Sequence, residues 1–125
     1  MAFIVFDARE AHGSEKTLTV DKYGRIYMSI GLARDLGSEG LPFKAHIAYD
    51  PDTDSIGIAR PGTVSGVEKV EPVVFDGMRR YASLRTFLRK HSIMLEPDSK
   101  PMKWVFVQKR NNWYEFRPLA KEHGV

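Results

Sequence analysis

The stretch from Lys16 to Pro61, KTLTVDKYGRIYMSIGLARDLGSEGLPFKAHIAYDPDTDSIGIARP, constrains this chain most. Leu18 and Val20 alternate with Thr17, Thr19 and Asp21, the period of a half-buried strand. Gly24 admits a positive φ without strain, so the chain can reverse there and return as a strand over Arg25-Ile26-Tyr27-Met28. Ser29 then suits a helix N-cap, Ile30, Leu32, Ala33 and Leu36 give one apolar helical face, and Gly37 stands where a left-handed C-cap belongs. Ala45, Ile47 and Tyr49 alternate with His46 and Ala48, and Ile56 and Ile58 follow an acidic turn. The expected order is strand, strand, helix, strand, strand within about 45 residues, too few to enclose a core alone. A second copy of the chain is expected to supply the missing half.

Val20-Asp21-Lys22-Tyr23-Gly24-Arg25, followed by Ile26-Tyr27-Met28 and by Leu32, Arg34, Leu36 and Gly37, resembles the AbrB family of bacterial transition-state regulators. The likeness covers a little over a third of the chain. It implies an intertwined, swapped-hairpin homodimer that binds double-stranded DNA, in a bacterial or bacteriophage setting. Two of the family's DNA-contacting arginines have counterparts here: Arg25, just after the turn glycine, and Arg34, the second of the helix pair. Ala33 stands where the first of that pair belongs, Leu18 and Thr19 replace basic residues of the first strand, and Ser29 replaces the proline that opens the helix. Lys22, in the turn itself, is a further candidate phosphate contact.

Charge is distributed unevenly. Residues 1–14 and 15–62 each carry a net −1, whereas residues 63–125 hold twelve bases and seven acids. The overall +3 therefore comes from the C-terminal half. Phosphate-binding surfaces need clustered Lys and Arg, which directs attention to that half as well. Pro61, Gly62 and Gly66 interrupt both periodicities and mark a boundary. The expected division is an N-terminal strand extension over 1–14, an AbrB-like domain over 15–62, a linker or edge strand over 63–72, and an α+β module over 73–125.

Beyond the boundary, Val70–Phe75 reads as a strand that Pro72 confines to an edge position. A helix follows, with Asp76 or Ser83 as its N-cap; Ser83 is preferred. Tyr81, Leu84, Phe87 and Leu88 share one side of that helix, while Arg79, Arg85, Arg89 and Lys90 lie largely off it. Arg85 and Arg89 are thus a second candidate DNA contact. The chain closes on a β-hairpin, in which Met102–Gln108 and Trp113–Arg117 flank a turn at Asn111-Asn112, residues that tolerate positive φ. Trp104, Phe106, Trp113 and Phe116 lie beside basic residues, as in single-strand binders, but their stronger reading is core filling against the helix.

Other chemistries find little purchase. Asp50-Pro51-Asp52-Thr53-Asp54 has alternate carboxylates, but Ser55 and Pro61 occupy the positions where a calcium loop needs Gly and Glu, so a polar hairpin turn is expected. The four histidines show no metal-ligand spacing, cysteine is absent, and no nucleophile elbow or phosphate-cradling loop occurs. No enzymatic activity and no cofactor are expected. The opening MAFIVF is about one strand long and lacks a signal peptide's charged flank, and no apolar run reaches the roughly 20 residues of a membrane span. The expectation is a cytoplasmic α+β homodimer, built on a swapped-hairpin barrel with a small helix-plus-hairpin module, that regulates transcription by binding DNA. The alternative is a phage-type protein-interaction module that keeps the dimer scaffold and binds another protein.

Overall fold

The computed structural model describes residues 2–5, 15–38 and 40–119, so most of the extension expected over 1–14 lies outside the described residues. The first hairpin pairs β1 (Thr17–Val20) with β2 (Arg25–Met28), Val20 opposite Ile26 and Leu18 opposite Met28. Gly24 holds its turn with φ +82°. Helix α1 (Ile30–Asp35) starts at Ser29, whose hydroxyl accepts from the Leu32 amide at 3.3 Å. It ends in a Schellman arrangement: Gly37, at φ +86°, donates to the Arg34 carbonyl, and Ser38 donates to that of Ala33. The second hairpin pairs β3 (Phe43–Asp50) with β4 (Ser55–Ala59) across the acidic turn, where Asp54 takes φ +52°. Residues 16–61 thus have the element order their pattern predicts.

The rest of the chain completes the same sheet. It adds β5 (Val73–Phe75), β6 (Tyr81–Ser83), helix α2 (Arg85–Lys90), β7 (Met102–Arg110) and β8 (Trp113–Pro118). The strand order is β5-β3-β4-β8-β7-β1-β2-β6, every pair antiparallel. Its two outermost strands, β5 and β6, are consecutive in the chain. The turn between them is closed by the Asp76 amide on the Tyr81 carbonyl (2.9 Å), so the sheet curls into a nearly closed barrel. The fold of the described residues is therefore mostly β, with two short helices. The hairpins of 16–61 do not pair with each other, because β7 and β8 lie between them, β7 on β1 and β8 on β4. The strands that 16–61 lacks for a core come from this same chain.

That core contains Leu18, Val20, Ile26, Met28, Leu32, Ile56, Ile58, Phe75, Leu88, Trp104 and Phe116, each no more than 2% exposed. Burying each such side chain contributes roughly 1.5–3 kcal/mol. Trp104 and Phe116 fill the interior as expected and Phe106 packs against it half-buried, but Trp113 does not: three residues from Phe116 on β8, it points to the opposite face and lies half-buried over Gly57 beside Glu115. Asn111 and Asn112 turn that hairpin at φ +51° and +69°.

Two boundaries are corrected. Only Val73–Phe75 of the stretch read as Val70–Phe75 is paired, with Pro72 outside it, and the strand does sit at one end of the sheet order. Ser83 is not an N-cap: it ends β6 opposite Arg25, and α2 begins at Arg85 after Leu84, with no side-chain cap. The free edge of β2 recruits Tyr81-Ala82-Ser83 as a strand, and Arg80, in the left-handed region at φ +59°, turns the chain onto it. The barrel's outer face also holds one buried carboxylate. Glu115, 3% exposed, accepts from Ser55 Oγ (3.0 Å), Gln108 Nε2 (3.1 Å) and Arg117 (3.1 Å). Burial pushes its carboxyl up, but these bonds outweigh burial and hold it below the ordinary value.

Candidate nucleic-acid interface

Turn Asp21–Gly24 is built around one side chain. The Asp21 carboxylate accepts from the Tyr23 amide (2.9 Å), the Arg25 amide (3.0 Å) and Arg25 Nε (2.7 Å). Burial of Asp21 raises its pKa, and the bonds from Arg25 and Tyr23 more than reverse this, so the carboxyl titrates below its ordinary range. The turn packs on the start of α2. The Leu84 amide donates to the Gly24 carbonyl at 2.7 Å, and Arg85 Nε donates to the Tyr23 carbonyl at 2.9 Å. A Cβ at Gly24 would collide with Arg85 Cγ and lie 3.3 Å from Arg85 Cα. Glycine is needed here for both its φ and its size.

The periodicity of α2 places its two faces. Leu88 is fully buried, and Leu84 and Phe87 pack against the core, closing one end of the barrel. Arg85, Arg89 and Lys90 are exposed. The following segment lays Met94 and Leu95, both half-buried, beside the turn. Together Lys22, Tyr23, Arg85, Arg89, Met94, Leu95 and Pro97 line an open groove of about 410 Å³. Among the described residues no carboxylate forms an ion pair with Lys22, Arg85 or Arg89. Glu96 and Asp98, on the same segment as Pro97, are exposed and likewise unpaired with them. Tyr23 is 52% exposed, with Lys22 Nζ 5.3 Å and Arg25 Cζ 4.9 Å from its ring centre.

The five basic residues singled out from sequence thus separate into three settings. Lys22, Arg85 and Arg89 come together, although more than 60 residues separate the first from the other two. Arg25 lies at the edge of this group with its guanidinium engaged, ion-paired to Asp21 and set over the rings of Tyr23, Tyr27 (5.6 Å) and Tyr81 (5.6 Å). Arg34 is elsewhere. Arg25 opens β2 at the Tyr23 turn and α1 follows the other end of that strand, so Arg34 borders a separate hollow with Ile30, Ser38, Met78 and Arg80.

Tyr23, Met94, Leu95 and Pro97 were not singled out as site residues. An Asp two positions before a turn Tyr-Gly signals an Asx-type turn that would project its central residues. Nothing in the pattern of 91–101 announces that it folds beside that turn.

The fold and this groove define a small antiparallel barrel with a basic, partly apolar hollow at one end. Comparison with protein-family models, with curated proteins and with solved structures finds no match for the chain.

Proposed function

We propose that this chain is a DNA-binding regulator of transcription that holds the phosphate backbone with Lys22, Arg85 and Arg89. The observation carrying this reading is the convergence of three cations, unpaired among the described residues, on one groove beside an exposed tyrosine. Clustered cations release counterions on binding phosphate, and that release supplies sequence-independent affinity. Arg25 supports the turn from its ion pair with Asp21 and adds positive potential at the rim. In the regulators that 16–61 resembles, the DNA-binding unit is a dimer. We extend that to two copies of this chain on DNA, each offering one groove.

Binding to random-sequence DNA across a salt series tests the proposal. Affinity is expected to fall steeply with salt, and Arg85→Ala with Arg89→Ala to flatten the slope by about 1.4–1.8 units, since each lost contact removes about 0.7–0.9. Absence of binding at low salt would refute it.

A second reading rests on the opposite end of the barrel. Leu41 (71% exposed) and Met78 (77%) stand on segments in backbone contact at Gly77, next to the Arg34 hollow. Apolar side chains exposed side by side, unlike singly scattered ones, mark protein interfaces. A chain that binds no DNA but loses a protein partner on Leu41→Ser with Met78→Ser would act through that end.

A further inference from the structure

We infer that the groove beside Tyr23 takes an unstacked nucleotide of single-stranded DNA, with the base against Tyr23 and the neighbouring phosphates on Lys22, Arg85 and Arg89. The inference rests on the phosphate-binding reading above and specifies its substrate.

Shape is the first argument. A protein reads duplex DNA by inserting a protruding helix or ribbon into a groove. Here α2 is six residues long and is held down as the barrel's lid by Leu84, Phe87 and Leu88, so its basic residues rim a hollow. The hollow, about 410 Å³, is open to solvent along its length, so a flexible strand can lie in it without being enclosed. A duplex, convex at its backbone, would meet the rim and leave the hollow empty.

Lining chemistry is the second. Phosphate alone needs only the cations. Met94, Leu95 and Pro97 give the groove an apolar wall, and Tyr23 gives it an exposed aromatic ring that contributes nothing to the core. Basic and aromatic residues interleaved along a concave surface suit single strands, because every base presents a π-face once unstacked. Of the aromatics of the last hairpin, Trp104 and Phe116 are buried, Phe106 packs against the core and Trp113 lines a separate hollow, so none of them borders this groove. Arg25 is fixed on the Tyr23 ring by Asp21, whereas Lys22, exposed and unpaired among the described residues, is able to swing from the ring to a phosphate.

Fluorescence anisotropy with labelled oligothymidylate of about 15 nucleotides and a 15-base-pair duplex, both at low salt, tests this. The single strand is expected to bind at least tenfold more tightly. Tyr23→Leu is expected to weaken single-strand binding about tenfold without changing its salt slope, and Tyr23→Phe to retain it. Arg85→Ala with Arg89→Ala is expected to weaken both ligands and flatten both slopes. Tighter duplex binding, or unchanged single-strand affinity in Tyr23→Leu, would overturn the inference while leaving phosphate binding intact. Absence of salt-dependent binding to either ligand would overturn the underlying reading and the inference with it.

Discussion

Gly24→Ala probes the joint between the two sequence segments that form the groove. At φ +82° an L-residue adopts the left-handed conformation at roughly 1–2 kcal/mol. The added methyl falls on Arg85 Cγ, which can rotate away only by giving up its Nε bond to the Tyr23 carbonyl, a net loss of about 0.5–1.5 kcal/mol. Arg85 Cα and Cβ, both 3.3 Å from the new methyl, cannot rotate, and the Leu84–Gly24 hydrogen bond tethers the backbone at that point. Such overpacking adds about 1–3 kcal/mol. The substitution should therefore destabilise by about 2.5–6.5 kcal/mol, a large share of the roughly 5–15 kcal/mol that holds a domain folded. Urea unfolding followed by tryptophan fluorescence should show a midpoint lower by about 1–3 M at unchanged slope. In an Arg85→Ala background the Cγ part of the crowding disappears, and the effect of Gly24→Ala should shrink toward the conformational part. A loss below about 0.5 kcal/mol, within the range of ordinary surface changes, would refute the packing of turn on helix. An effect of equal size in both backgrounds would refute the role of Arg85.

Two further outcomes follow from the fold. Because β5–β8 complete the barrel within one chain, native fluorescence should persist on dilution to nanomolar concentration; unfolding on dilution would show that a second copy is needed for the core. Asp21 and Glu115 have native pKa values below the ordinary 3.8 and 4.5, so each contributes stability that is full above those values and is lost as pH falls through the lower native ones. The urea midpoint should therefore drop below about pH 4.5, and Glu115→Gln should flatten that dependence while lowering stability at neutral pH; an unchanged acid profile in the variant would show that Glu115 is not the group concerned.

The sequence alone determined the local elements whose signals are short-range. Gly24 and Gly37 mark left-handed positions, Ser29 caps α1, Asn111-Asn112 turns the last hairpin, and alternation marks β1–β4, β7 and β8 as strands, though it did not separate Trp113 from the core face of Phe116. Each depends on interactions within a few residues, so its pattern is written in neighbouring positions. The inward face of α2 and the outward placement of Arg85 and Arg89 were legible for the same reason. Tertiary structure decided the rest. The 16–61 segment's need for partner strands was readable, but not their source, because pairing depends on which edges meet and no residue of β1 or β4 encodes β7 or β8. Tyr81–Ser83 became a strand because the edge of β2 was free, a competition that local propensity does not record. The groove was decided in the same way: Lys22 lies on one hairpin and Arg89 on a distant helix, and only closure of the barrel end around Leu88 sets them beside Tyr23 and Leu95.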